Sequence, residues 1–257
     1  GKNGPYTNFK GSDAMIQSLI GQLRGIGPSE GPPIIPTGYQ AQIIGGLTAY
    51  VGSLGHLLGN ALKDQTEVFH LDTSIYEANL CLTDPAILHA SNQIDITPRL
   101  GINRFAPTYP LGVFPCKDGW LGVTVLSPSQ WEAFCTLLEL TELSDTPLFH
   151  ASMERLEAAD LIEPMILDKL SQHSAEDLFY RGQKAKVPLA RVPTMDELFE
   201  VDQYVMRDAF SQAIQVGHQY QVPSVPFRLF KTPPNFGGRV SSLGENNADW
   251  QELVGSS

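Results

Sequence analysis

The sequence has little cysteine, little basic charge and no long unbroken apolar run. Its cysteines are Cys81, Cys116 and Cys135. An odd number of thiols with no close pair makes neither a disulfide framework nor a zinc-ligand spacing, and it suits a reducing cytosol. Lys and Arg number 17 against 28 Asp and Glu, a formal net charge of -11. That excess of acid argues against nucleic acid or an anionic membrane as the main partner, because phosphate contacts need clustered cations. A local basic pocket stays open. The most apolar stretch, 43–62, approaches a membrane span in length, but Gly45, Gly46, Gly52, Gly55, His56, Gly59 and Asn60 interrupt it. A buried helix is expected there, and no membrane partner. No apolar h-region follows Gly1-Lys2-Asn3-Gly4-Pro5, so the start does not read as a signal peptide. A P-loop lysine, HExxH, an EF-hand loop and Gly-x-Ser-x-Gly are all missing, and the histidines are scattered. No metal site is expected.

What is present is an ordinary folded composition, 42% hydrophobic and 18% charged over 257 residues. That is enough for a core in one or two domains. Ser12 or Asp13 caps a helix carrying Met15, Ile16, Leu19, Ile20 and Leu23, which Gly25 and Gly27 end. A Pro-rich loop over 28–38 leads into a long helix from Tyr39 to Leu62, whose glycines allow another backbone to come close. Residues 67–71 read as a strand, and Thr73 or Ser74 caps a helix through Leu82. After the Pro- and Gly-rich segment 93–110, two β-rich runs meet at Asp118-Gly119, a strong hairpin signal. Ser127-Pro128 starts a helix with Trp131, Phe134, Leu137 and Leu138 on its apolar face. Further helices are expected over 153–171, 174–185 with Ser174 as N-cap, and 194–200; a strand is expected over 189–192, and strands interrupted by prolines over 209–216 and 219–230. The fold class is α/β in the first part and α+β in the second.

Five stretches, in order, carry a resemblance. They are Gly1 to Tyr6 with Lys10-Gly11-Ser12-Asp13 and Gln17-Ser18; Gly45-Gly46-Leu47-Thr48-Ala49; and Val68 to Ser74 with Glu77-Ala78. Then come Arg99 to Asn103 followed by Tyr109 to Trp120, and finally Pro226-Phe227-Arg228-Leu229 with Thr232-Pro233-Pro234 before Leu243-Gly244-Glu245. Together they resemble the class III CoA-transferases (CaiB–BaiF, formyl-CoA transferase-like). The resemblance implies a CoA-transferase-like α/β fold with a partial Rossmann-like large domain, a small α+β domain and an interlocked dimer. Residues 1–92 would end the large domain, 93–110 link, 111–207 form the small domain and 208–257 return. It also implies an amino-terminal part supplied by another segment or chain, bearing much of the CoA site. A coenzyme A thioester would be substrate, with a carboxylic acid as partner and no tightly bound cofactor, in a cytoplasmic protein.

The sequence departs from the family at one decisive position. Anchored on Gly46-Leu47, the family's catalytic aspartate falls on Gln42, and no aspartate lies between Pro28 and Leu62. In the transferase reaction that carboxylate attacks the acyl-CoA carbonyl and forms a mixed anhydride, then an enzyme thioester. A glutamine amide can do neither, nor shuttle a proton as the related racemases require. It can hold a thioester oxygen or a carboxylate by hydrogen bonding. Three explanations stand: another carboxylate, such as Asp13 or Asp72, does the work; this is a silent binding or scaffold half of a tandem or split enzyme; or other residues of the intact protein act. The readings are therefore CoA transfer, a silent half, or a racemase, isomerase or lyase of the same fold. Tyr39 and Gln40 flank Gln42 where helix N–H groups favour an anion. Arg99, Asn103, Arg104 and Tyr109 are further candidates for substrate or CoA contact, since linker loops meet substrates. Gly101 and Gly112 are expected to allow turns.

Overall fold

The structure, a computed structural model, describes residues 3–64, 68–94, 99–215, 217–234 and 238–250. The chain divides into two compact units, 1–191 and 192–257. The first unit opens with helices α1 (Asp13–Leu19), α2 (Gln40–Lys63), α3 (Ile75–Ala78) and α4 (Asp84–Ser91), with a 3-10 turn over Asn79–Thr83. The long helix is where the sequence places it. Its glycines admit neighbours at two positions: a Cβ on Gly45 would stand 2.9 Å from Ile75, and one on Gly52 3.0 Å from Leu71.

Several expectations fail in this helical layer. The first helix ends at Leu19, with Leu23 in a separate 3-10 turn after Gly21 at φ 79°, and the helix begun by Ser74 gives way to 3-10 after Ala78. Residues 68–71 are not a strand, and Glu67 lies outside the described residues. The segment packs along α2 through side chains instead, with the Phe69 ring 3.5 Å from that of His56. Nor is α2 buried. Ile43, Leu47, Tyr50, Leu54 and Leu57 are exposed, at spacings of four and three residues that make one apolar stripe opposite Ala41 and Gly45. Among the described residues of 3–94, only Ile20 and Ala41 are buried apolar side chains.

The core of this unit lies further along. It is built by β1 (Leu111–Pro115), β2 (Trp120–Thr124), α5 (Pro128–Leu137), α6 (Thr141–Ser144), α7 (Ser152–Glu157), α8 (Ala159–Leu170), α9 (Ala175–Lys184) and β3 (Leu189–Arg191). β1 and β2 form the expected hairpin, Leu111 opposite Thr124 and Pro115 opposite Trp120, and β3 adds antiparallel to β2. Strand alternation turns Phe114, Leu121, Val123 and Leu189 to one face, where Trp131, Phe134, Leu138, Ile162, Ile166, Leu170 and Leu178 bury them. Ser127 starts α5 through a reciprocal capping box with Gln130, and the Ser174 hydroxyl accepts from the Asp177 N–H at the start of α9. Asp118 of the hairpin turn also accepts from the Ala175 N–H at 2.9 Å, docking the turn on that helix. The helix expected over 153–171 is two, α7 and α8, parted at Ala158, where ψ is 11°.

The second unit holds a 3-10 turn over Glu197–Glu200, α10 (Asp202–Met206), β4 (Phe210–Gln215), β5 (His218–Pro223) and β6 (Gly238–Arg239), in the order β5-β4-β6. The helix expected over 194–200 shrinks to that turn, and the Thr194 N–H goes to the Glu197 carboxylate at 2.8 Å. β5 stops at Pro223 rather than running to Phe230, as prolines remove ladder donors. The rings of Phe199 and Tyr204 pack edge-on against Phe210.

Candidate functional site

The Pro-rich loop delivers the chain to Tyr39, which precedes α2 without a side-chain cap. A bare helix start leaves N–H groups that attract an anion. The anion here comes from α1. Asp13 accepts from the Gln42 N–H at 3.1 Å and, through its other oxygen, from the Gln17 side-chain amide at 2.5 Å. Of the two candidate caps of α1, Ser12 holds the N-cap position, while Asp13 caps the next helix instead. On the opposite side, the Asn79 amide donates to the Ala41 carbonyl at 3.0 Å and to the Ile75 carbonyl at 2.7 Å. Gln17 and Asn79 are fully buried. Gln42, Tyr39 and Gln40 remain exposed, and Gln40 reaches back to the Thr37 carbonyl at 3.3 Å. The first turn thus presents the Gln42 amide outward on a backbone pinned from two sides. With both Asp13 oxygens engaged, that carboxylate is placed to hold the turn rather than to attack a carbonyl.

The linker candidates form a different assembly. Arg99 donates to the Gly31 carbonyl at 2.6 Å, tying the linker to the Pro-rich loop. Asn103, at φ 56°, donates to the Val113 carbonyl at 2.8 Å and accepts from the Val113 N–H at 2.9 Å, so its side chain pairs with the free edge of β1. Gly112 lies inside β1, not in a turn: a Cβ there would collide with the Asn103 side chain. Gly101 does have the turn geometry, with φ 109°. Arg104 is no solvated loop residue. It pairs with Glu163 and, at 3.0 Å, with Asp160, both on α8, and its guanidinium sits 5.2 Å from the Tyr109 ring. Burial pulls this guanidinium down, yet the hydrogen bonds to Glu163 and Asp160 outweigh it and leave it above the ordinary arginine value. Tyr109 is fully buried and donates its hydroxyl to Glu163 at 3.0 Å. Burial, with the Glu163 charge beside it, pushes this phenol up, so it stays a neutral donor. Arg104 and Tyr109 therefore converge on Glu163. No hydrogen bond or ion pair among the described residues joins these linker side chains to Gln42.

Arg155 completes that assembly and carries no local sequence signal. Fully buried on α7, it donates to the carbonyls of Tyr109 at 2.7 Å, Phe149 at 2.6 Å and His150 at 3.2 Å, over the Trp131 ring at 4.8 Å. Burial pulls its pKa down to about 10. The spacing of Asp160 and Glu163, three apart on one helix, is the one signal that could have announced a basic partner. Burial pushes the thiols of Cys116 and Cys135 up to about 11 and about 12, as core thiols rather than nucleophiles. Among the described residues no acidic, thiol or imidazole cluster fits a metal ion, and no helix is long and apolar enough to cross a membrane.

Comparison with known proteins supplies what this geometry leaves open. Residues 1–247 match CoA-transferase family III. The alpha subunit of a succinyl-CoA–L-malate CoA-transferase from Chloroflexus aurantiacus is 27% identical over 98% of this chain, and a succinyl-CoA:mesaconate CoA-transferase from Haloarcula marismortui is 23% identical over 95% of it. The chain spans 59% and 60% of the length of those two proteins. The crystal structure of a CaiB/BaiF family protein from Brucella suis superposes with a TM-score of 0.82 at 20% identity, covering 99% of this chain and 65% of that one. At that identity the likeness speaks for the fold, an α/β fold of the CaiB/BaiF type. The chain belongs to CoA-transferase family III.

Proposed function

We propose that this chain is part of an enzyme that moves CoA between carboxylic acids. The observation that carries this reading is the family match, which runs from the first residue to 247 through both compact units. Relatives whose names specify succinyl-CoA with malate or mesaconate favour an acyl-CoA donor and a small carboxylic acid acceptor. Coenzyme A thioester is then a substrate, with no tightly bound cofactor, in a cytoplasmic protein. Gln42 stands at the position of the family's aspartate, and its exposed amide is suited to hold a thioester or carboxylate oxygen. Tyr39, Gln40 and Arg99 are the remaining candidates near that turn and its entry loop. Residues 1–92 end the large domain, 93–110 link it to a small domain at 111–207, and 208–257 return.

The exposed stripe Ile43, Leu47, Tyr50, Leu54 and Leu57 supports a further part of this proposal. Contiguous apolar side chains of this size mark an interface. We assign it to the family's amino-terminal part, supplied by another segment or chain, in a homodimer. A second reading, a silent half that supports an active partner domain, is favoured by one residue, the neutral amide of Gln42.

The test is a CoA-transfer assay on the full-length protein with a panel of short acyl-CoA donors and mono- and dicarboxylic acceptors. The proposal expects acceptor-dependent formation of a new acyl-CoA. Acyl-CoA binding without transfer would favour the silent half, and exchange of the α-proton in heavy water without transfer would favour a racemase.

A further inference from the structure

We propose that Glu163 is a positioning residue: through Arg104 and Tyr109 it anchors residues 99–110 as a strap that fixes the entry loop of α2, and with it Gln42, against the helices and sheet of the core. One carboxylate oxygen of Glu163 receives both the Arg104 guanidinium and the Tyr109 hydroxyl. Asp160 takes the second arm of Arg104. The strap is then tied at every few residues. The Tyr109 backbone is gripped from α7, its N–H by the Ser152 hydroxyl at 3.1 Å and its carbonyl by Arg155. Asn103 clamps the strap to β1, where Gly112 leaves the space its side chain needs. At the far end Arg99 reaches the Gly31 carbonyl, and Gly101 passes close to the Ser29 backbone, 3.8 Å from where its Cβ would be.

Gly31 is the tip of a loop closed at its base by the Ile34 N–H donating to the Ile26 carbonyl at 3.2 Å. That loop leads directly into the first turn of α2. The helical layer beneath it buries almost no apolar side chain of its own, so its entry loop takes its position from outside contacts. The strap supplies such contacts from the part of the unit that does have a core. Glu163 is the link between the two because it is the one acid shared by Arg104 and Tyr109. A charge-assisted hydrogen bond held at a half-buried site is the strongest polar tie available there.

The role for the reaction rests on the acyl-CoA reading above, but the coupling itself does not. Hydrogen–deuterium exchange on the full-length protein tests it directly. In Glu163→Gln, amides of residues 28–44 and 99–110 are expected to exchange about tenfold faster or more, with those of α5 and α8 within about twofold of the parent. In Arg99→Gln, the rise should appear at 28–44 and spare 104–110. Faster exchange in Glu163→Gln that stops at 104–110, or that spreads through α5 and α8, overturns the strap. Where CoA transfer is measurable, Glu163→Gln should lower kcat and leave KM for acyl-CoA within about twofold, with Glu163→Asp regaining part of the loss. Equal losses in kcat/KM and stability across both variants would make Glu163 a folding residue only. Failure of every form to transfer CoA would overturn the functional reading and leave the exchange pattern to decide the strap.

Discussion

Replacing Gln42 by aspartate in the full-length protein is expected to raise CoA transfer on the order of 10²-fold, about 2.7 kcal/mol of barrier. The gain comes from the difference between an amide and a carboxylate. A glutamine cannot form the mixed anhydride through which an acyl group passes, whereas an aspartate at the same backbone position can. The substitution leaves the turn intact, because Asp13 is held by the backbone N–H of residue 42 and by Gln17, not by the Gln42 side chain. Rate measurements at saturating acyl-CoA and acceptor read the gain. An unchanged rate in a protein that still binds acyl-CoA would remove Gln42 from the reaction.

Replacing Arg155 by leucine should destabilise the fold by about 3 kcal/mol, a fall in melting temperature of about 6–12 °C. Leucine fills much of the volume and removes a buried cation that no described acid pairs with, which on its own would stabilise. What decides the sign is the three carbonyls. Those of Tyr109, Phe149 and His150 end at this guanidinium, and the two buried ones, of Tyr109 and Phe149, are left without a donor in the interior when it goes. The Trp131 ring also loses the cation on its face. Lysine at this position should fail nearly as badly, since a point charge cannot serve three carbonyls in the plane of a fork. Thermal unfolding followed by circular dichroism reads the loss, and a shift below about 2 °C for leucine would contradict the account.

Local chemistry was legible and distant chemistry was not. The Asp118-Gly119 turn, the Ser127-Pro128 start of α5, the Ser174 cap of α9 and the span of α2 all follow from residues within a few positions of one another. The strand expected over 67–71 failed because apolar alternation needs a neighbour to bond, and the residues at 68–71 have side-chain contacts with a helix instead. Burial of α2 was read from composition alone, but a helix is buried only by what lies against it. The candidate site divides the same way. The start of α2 was recognisable from its loop and helix pattern. The residues that pin it were not, since Asp13 lies 29 positions from Gln42 and Asn79 38 from Ala41. Likewise Arg104 stood out as a linker cation, but its acid is 59 positions away, so a structural joint could not be told from a substrate contact.

The central claim is acyl-CoA transfer chemistry, and covalent trapping tests it most directly. The full-length protein is incubated with succinyl-CoA and with other short acyl-CoA donors, then treated with hydroxylamine or borohydride and mapped by peptide mass spectrometry. The account predicts a hydroxamate or a reduced thioester on an acidic side chain of the intact protein, at a residue other than Gln42, appearing only when acyl-CoA is present. Absence of any modified acidic residue across the whole panel, in a protein that binds the same acyl-CoA donors, would contradict it.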